Sequence, residues 1–397
     1  MTIAECRLRI LGLSLNDWSD QWTNRQHLLS RLGRTNTVLY SRGGWFNWDI
    51  RSDEWRQTPF AGEVTHSDNV WLDKCPHYLV RLPRFPSLET RTLALIARRW
   101  NNWLTRRGTG SRVLLLFHPQ LFPYVRFVQR DILAYHAYDL FQHTPGWNER
   151  NEKLEISLLQ TADIVTASSD AIADALQKKI PREIRVLPNG VDLLDFEQSS
   201  NDSRIVPADL DTIPRPRLGY VGSLAFTVDF ELVAALADLR PHWNFVFIGA
   251  SIGKFNADTE AAFSKCRALP NVHFLGQKHV REVAHYSMNM DVNLMLYRIS
   301  SGIWTQAGYP LKLHEYLAAG KPIVSADLPS VRPFSGVVRI ASGVSDWISA
   351  IQEAIATGGH STEKERRAIA AQNTWDARVA TMQTWLREHL EQNEIKK

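Results

Sequence analysis

"YPLKLHEYLAAGKPIVSADLP" occupies residues 309–329 of a 397-residue chain. Pro310 suits the first turn of a helix, where its missing N–H has no partner to lose. Gly320 suits the position just past a helix, where φ is often positive, and Pro322 blocks continuation. The stretch therefore predicts a short helix over 310–319 running straight into an apolar strand, "PIVSA". The start of that helix exposes unpaired N–H groups and partial positive charge, which favour a phosphate. Lys312 adds a full charge in the first turn. Glu315, three residues on, lies on the same side and can accept two hydrogen bonds from a vicinal diol such as a ribose. Cation, helix terminus and diol acceptor together describe a nucleotide-diphosphate site. An ordinary surface Lys–Glu pair, contributing only about 0.2–0.5 kcal/mol, is the bland alternative.

The same alternation of strand and helix extends in both directions. Upstream of the quoted stretch, "RLGYVGSL", "NFVFIGA", "VHFLGQ" and "DVNLMLYR" read as strands, with helices over 229–239 and 279–288. Downstream, "VVRIAS" reads as a strand, followed by helices near 344–357 and 361–372. The segment 198–216, "QSSNDSRIVPADLDTIPRP", is polar, holds three prolines, and reads as a linker. Before it, "RLRILGLSL", "TVLYSR", "HYLVRLP", "RVLLLFH", "DILAYHAYD", "DIVTASS" and "IRVLPNG" are apolar on both faces, as parallel strands covered by helices should be. The expected organisation is an α/β fold of two Rossmann-like, doubly wound domains, 1–197 and 217–375. A final amphipathic helix, 376–397, packs back toward the first domain. In such folds ligands sit outside the carboxyl ends of the strands, so the expected site is a cleft between the two.

Composition bounds the function classes. The chain is 44% hydrophobic and 22% charged, as in soluble globular proteins. Its three cysteines, Cys6, Cys75 and Cys266, show no metal-ligand spacing and suit a reducing compartment. No charged start followed by an apolar segment is visible, and runs such as "VLLLF" at 113–117 are far too short to span a bilayer. A cytoplasmic location is expected. Residues 75–130 carry ten arginines against one acid, Glu89. Such a face attracts phosphate groups or anionic lipid, or is simply a solvated surface. "LIARRWNNWLTRRG" resembles an interfacial helix, which would place the protein peripherally on the inner face of the membrane.

The ordered set of segments resembles GT-B-fold glycosyltransferases of the broad family-4 group. It is most similar to bacterial exopolysaccharide and teichuronic-acid type enzymes with the pattern P-x-K-x-x-E-Y-L-A-x-G-K-P-V-V. "WTNRQHLLSRL", "LLQTADIVTASSDAIADAL", "RVLPNGVDLLDF", "PRPRLGYVGSL" and "LPNVHFLGQ" fall in the family's order, and the likeness is weakest over 42–110. The resemblance implies transfer of a sugar from a nucleotide-diphosphate donor, with UDP expected, to a saccharide or lipid-linked acceptor in surface or exopolysaccharide synthesis. It implies no metal, no other cofactor and no nucleic acid partner. The "DLD" at 209–211 is accordingly read as a decoy. Glu315 inherits the ribose contact and Lys312 the diphosphate, with Gly222, Ser223, Pro310, Leu311 and Arg298 as further donor-binding candidates.

In the first domain, His118 ends the strand "RVLLLFH" and matches a family histidine beside the transferring sugar. Asp139 matches the first aspartate of the final pair in Y-D-x-x-D-D and is the candidate acceptor base. Its plainer role is capping the next segment. Arg25 in the first helix, with Trp45 and Trp48 in an aromatic-rich stretch, are acceptor-binding candidates, since tryptophan rings stack on sugar faces. "PNGVD" at 188–192 is a cleft loop or merely a turn. Three positions depart from the family: Ala307 where many relatives carry a second glutamate, and His136 and Leu140 in place of aspartates of Y-D-x-x-D-D. Ala307 and the incomplete Asp pair keep open a non-catalytic sugar-nucleotide-binding partner, and the shared fold keeps open a sugar-nucleotide epimerase.

Overall fold

A computed structural model describes residues 7–18, 22–144, 146–201, 206–251, 255–299 and 306–395, with the side chains of 198–201 and 281 outside that description. The chain forms two compact units, Met1–Pro188 with Arg378–Lys397, and Asn189–Ala377.

The first unit is built on strands β1 (Arg9–Leu13), β2 (Thr37–Ser41), β3 (Trp45–Phe46), β4 (Glu63–Ser67), β5 (Val70–Lys74), β6 (Val80–Arg81), β7 (Arg112–Leu116), β8 (Ile132–Ala137), β9 (Ile164–Ala167) and β10 (Arg185–Val186). Eight of them make one sheet in the order β10-β9-β8-β7-β1-β2-β5-β4. All pairs are parallel except β4 with β5 at the edge. Helices α1 (Asn24–Leu32), α2 (Asp53–Gln57), α3 (Pro86–Thr105), α4 (Glu149–Thr161) and α5 (Asp170–Lys179) connect the strands. Every residue of β1 and β8 is buried, which explains their largely apolar character, with Arg9 and His136 as the polar exceptions.

The expected strand "HYLVRLP" shrinks to β6, which pairs only with β3 outside the main sheet. Side chains fix it instead: the buried Arg81 donates to Glu89 of α3 and its guanidinium lies 4.5 Å over Phe46. The β4–β5 hairpin was not foreseen. Asp68 and Asn69 turn it with φ of 51° and 63°, a left-handed pair these two residue types tolerate.

The second unit holds β11 (Arg217–Val221), β12 (Asn244–Ile248), β13 (Val272–Phe274), β14 (Val292–Met295), β15 (Ile323–Ser325) and β16 (Arg339–Ile340). They form a six-stranded parallel sheet, β13-β12-β11-β14-β15-β16. In unit numbering this is the 3-2-1-4-5-6 order of dinucleotide-binding folds, whose ligand crevice opens where the order reverses, between β11 and β14. Helices α6 (Leu193–Asn201), α7 (Ala208–Asp211), α8 (Phe230–Leu239), α9 (Ala257–Ala268), α10 (Val283–Met288), α11 (Lys312–Ala319), α12 (Gly343–Thr357) and α13 (Glu363–Gln372) cover it, and α14 (Trp375–Ile395) follows.

Two expected boundaries are corrected. The first unit closes at Pro188, not 197, and residues 206–216 are not a free linker. Leu210 and Ile213 are buried in the second unit's core, and Asp209 pairs with Lys278 at 2.6 Å. The sequence of 198–216 is polar on average, but two apolar anchors suffice to seat it. The final helix does join the first unit from Arg378 onward: Gln383 donates to Thr35 and Arg185 lies 3.8 Å from Glu388.

Candidate active site

β11 ends at Val221, and Gly222 turns the chain with φ +139°. Its amide donates to the Ile248 carbonyl at 2.8 Å. A Cβ on Gly222 would lie 2.9 Å from the Lys312 ammonium, so glycine lets the cation reach the backbone bend. The Lys312 Nζ sits 3.5 Å from the centroid of Tyr220 and 5.0 Å from that of Tyr297, which follows β14. The cation thus lies at the switch point, between groups from both central strands. It is only 7% exposed, and no carboxylate lies within ion-pair distance among the described residues. Burial pushes its pKa down to about 7, against the attraction of Glu315. Glu315, half-buried, is pushed up to about 7 by burial, opposed by Lys312 and reinforced by Asp195 of α6.

α11 is held in place from two directions. The Tyr316 hydroxyl accepts from the Val221 amide at 2.7 Å, tying the helix to the end of β11. Asn189 Nδ2 donates to the Tyr309 carbonyl at 2.6 Å, and the Tyr309 hydroxyl meets His314 Nε2 at 2.8 Å. The helix begins at Lys312 with Leu311 as its cap, so Pro310 lies one residue outside it and not in the first turn as expected. The Pro310 carbonyl accepts from Leu313 in the entry turn. Gly320 ends the helix at φ 74°, as the sequence requires. Asn189 of the "PNGVD" loop is buried, so the loop supports α11 through its side chain. Ser223 lies in the bend, where its carbonyl accepts from the Tyr220 hydroxyl at 3.3 Å. Arg298, expected near a diphosphate, reaches Glu231 at 3.5 Å. Ala307 is buried.

In the first unit, His118 follows β7 and Asp139 lies just past the end of β8, next to the reversal between β1 and β7. His118 Nδ1 accepts from the Gln120 amide, and its ring meets Phe141 at 4.4 Å. Burial lowers its pKa to about 4, so it is neutral at pH 7. Asp139 is raised to about 6 by burial, with the Leu140 amide opposing. Its carboxylate accepts that amide at 2.8 Å, while the following 3₁₀ turn is capped by Leu140, not by Asp139. Arg25 of α1 is buried beside Tyr40 and Tyr138. Burial lifts Tyr138 to about 12 against the Arg25 charge. His136, where the family pattern has aspartate, is a core residue, with Nδ1 2.8 Å from Thr166 Oγ1 and Nε2 3.4 Å from Asn24.

Trp45 is corrected as an acceptor residue. It is 3% exposed and its Nε1 donates to the Cys75 carbonyl, so it cannot stack on a ligand. Trp48 is 68% exposed and stacked on Phe46 at 4.5 Å. The sequence reading missed Tyr220 and Tyr297 around the cation, and Tyr40 and Tyr138 around Arg25. The only signal was a tyrosine at or just beyond a strand end in each case. Among the described residues no group of three or more His, Cys, Asp or Glu could hold a metal ion, and Asp209 of "DLD" is engaged by Lys278 and Tyr286.

Two Rossmann-like units, one with a cation at the switch point of a 3-2-1-4-5-6 sheet, define the GT-B class. Residues 215–357, most of the second unit, match the family described as glycosyl transferases group 1. The chain is 30% identical over 232 residues to a Bacillus subtilis (strain 168) protein that carries the name teichuronic acid biosynthesis glycosyltransferase TuaH. That alignment covers 56% of each protein, so it spans little more than half of the relative's length. Among solved structures, Anabaena HepE in complex with UDP and glucose superposes with a TM-score of 0.69 at 15% identity, over 96% of this chain and 99% of that one. The trehalose 6-phosphate synthase of Burkholderia multivorans gives 0.68 at 12% identity, over 98% of each. At these identities the superpositions establish the fold.

Proposed function

We propose that the protein transfers a sugar from a nucleotide-diphosphate donor, UDP-linked, to a saccharide or lipid-linked saccharide acceptor in bacterial surface-polysaccharide synthesis. The carrying observation is the buried Lys312 ammonium held against the Gly222 bend at the switch point, without a carboxylate partner. A diphosphate supplies that missing partner, with the bend's backbone and the start of α11 as further donors. Glu315 takes the ribose hydroxyls. The UDP complexes of the structural neighbour and the name of the B. subtilis relative support this donor and acceptor class. In the first unit, Asp139 is the acceptor base, His118 a neutral hydrogen-bonding group beside the sugar, and Arg25 with exposed Trp48 acceptor contacts.

The reading includes peripheral binding to anionic membrane. On α3 and just before it, Arg84, Arg91 and Arg98 are exposed beside Phe85, Leu88 and Leu95. That pairing of cations with apolar side chains suits a lipid interface. No helix of the described residues is long and apolar enough to cross a membrane.

Incubation with labelled UDP- and GDP-sugars plus membrane lipid tests the activity. Transfer into lipid or saccharide is expected with UDP-sugar. Epimerised nucleotide, or binding without turnover, would replace this reading with an epimerase or a non-catalytic partner. Sedimentation with phosphatidylglycerol vesicles at low salt tests the membrane component, and no association would remove it.

A further inference from the structure

A cavity of ≈ 420 Å³ opens in the first unit between the last turns of α3 and the β2–β5–β4 edge of the sheet, in a part of that unit separate from Asp139 and His118. Its lining includes Asp73, Arg99, Asn102, Trp103, Arg106 and Arg107. The volume falls in the range of small-ligand sites. Asp73 is already satisfied: it accepts from Trp100 Nε1 at 2.6 Å, Ser41 Oγ at 3.0 Å and Arg99 at 3.1 Å. Arg99 therefore neutralises the one acid in the wall.

Arg106 and Arg107 have no such partner. Among the described residues neither guanidinium makes an ion pair or hydrogen bond. Neither serves the usual purpose of basic residues at a helix C-terminus, satisfying its last carbonyls; Arg9 reaches one such carbonyl of α3 and two in the loop that follows. That side chain donates to the carbonyls of Leu104, Gly108 and Gly110. Arg107 is nonetheless oriented. Its guanidinium lies 4.3 Å from the ring of Trp71 and 4.7 Å from that of Trp103, two rings 5.6 Å apart. These two cation–π contacts hold the guanidinium against the indoles and occupy none of its N–H donors. The result is a cavity with two solvent-facing arginines that have no ion-pair partner among the described residues, one of them pre-positioned, and a half-buried indole in the wall.

We propose that this cavity binds a phosphate ester, with the phosphate on the Arg106–Arg107 pair and the organic portion against Trp103. Arginine forks match phosphate oxygens in geometry, and the cavity is larger than inorganic phosphate needs. The phosphate comes either from a soluble sugar phosphate or from a lipid headgroup. The site does not depend on the donor assignment in the second unit.

The test is calorimetric titration of the full chain with glucose 6-phosphate, alongside sedimentation with phosphatidylglycerol vesicles and with phosphatidylcholine vesicles. The double variant Arg106→Gln/Arg107→Gln is compared with wild type, with UDP binding as the control for an intact second unit and circular dichroism for the first. One probe, glucose 6-phosphate or the anionic vesicles, is expected to bind and to lose at least ten-fold in affinity in the double variant while UDP affinity is unchanged. Arg107→Lys, which keeps the charge but not the fork, should lose several-fold. Binding of neither probe, or binding equal in wild type and variants, overturns the proposal. Where glucose 6-phosphate does not bind, vesicle binding that depends on Arg84, Arg91 and Arg98 but not on Arg106 and Arg107 also overturns it, while leaving the membrane component of the functional reading intact.

Discussion

Lys312 is a buried cation set against two tyrosine rings with no carboxylate in ion-pair range among the described residues, a costly arrangement for a fold and a useful one for an anion. Lys312→Met keeps the length and removes the charge. It is expected to raise the thermal midpoint of the ligand-free protein slightly, since an uncompensated buried charge is destabilising. The same change should weaken UDP binding by about 2 kcal/mol, roughly 30-fold, the scale of a charge-assisted hydrogen bond. Differential scanning fluorimetry and calorimetry read the two signs separately; a purely structural lysine would lower stability and leave affinity alone. Asp139 carries a different signature. As a base it works ionised, and burial places its pKa at about 6. Turnover should therefore rise with pH up to about 6 and then level. Asp139→Asn should abolish that acid limb and lower kcat by about 10²–10⁴-fold, measured as a pH–rate profile. The cation and the strand-end acid were legible because each sits in a local pattern of a few residues. Tyr220 and Tyr297 were not, because they belong to different strands that meet only through the sheet order. Trp45 was misread because a list of aromatics does not reveal which of them faces inward.

At the scale of elements, α11 works as a positioned helix, and its supports are separate from its chemistry. Asn189→Ala removes the donor to the Tyr309 carbonyl and should cost about 1–2 kcal/mol in stability. Donor affinity should fall with it, since the entry turn of α11 loosens; urea unfolding and UDP titration check both. Gly222→Ala meets two penalties, a positive φ and a Cβ 2.9 Å from the ammonium. It is expected to destabilise by about 1–2 kcal/mol and to displace Lys312, lowering UDP affinity beyond what Asn189→Ala does. The parallel strands of the second unit were readable from apolar runs punctuated by glycine and proline. The β4–β5 hairpin escaped because β4 is an exposed edge strand, "EVTHS", without the apolar run that marks its neighbours. The start of α11 was displaced by two residues because proline tolerates a position just outside a helix as well as one inside it.

For the whole molecule, the two-unit α/β plan was evident in the sequence, but its seams were not. Polarity marked 198–216 as a linker, whereas burial of Leu210 and Ile213 assigns 206–216 to the second unit, and no composition profile registers two such anchors. The return of the final helix to the first unit has a measurable consequence. Val379, Met382, Leu386 and Leu390 are all buried, so deleting 378–397 removes four packed apolar side chains, each worth about 2–5 kcal/mol, and should leave the first unit largely unfolded. Limited proteolysis of the truncated chain should then release 189–377 as the resistant fragment. On a ribosome the same topology sets an order of assembly. The internal unit has all of its residues in hand while the portion made before it still waits for residues 378–395, so that earlier portion must be kept from aggregating until the final helix has emerged.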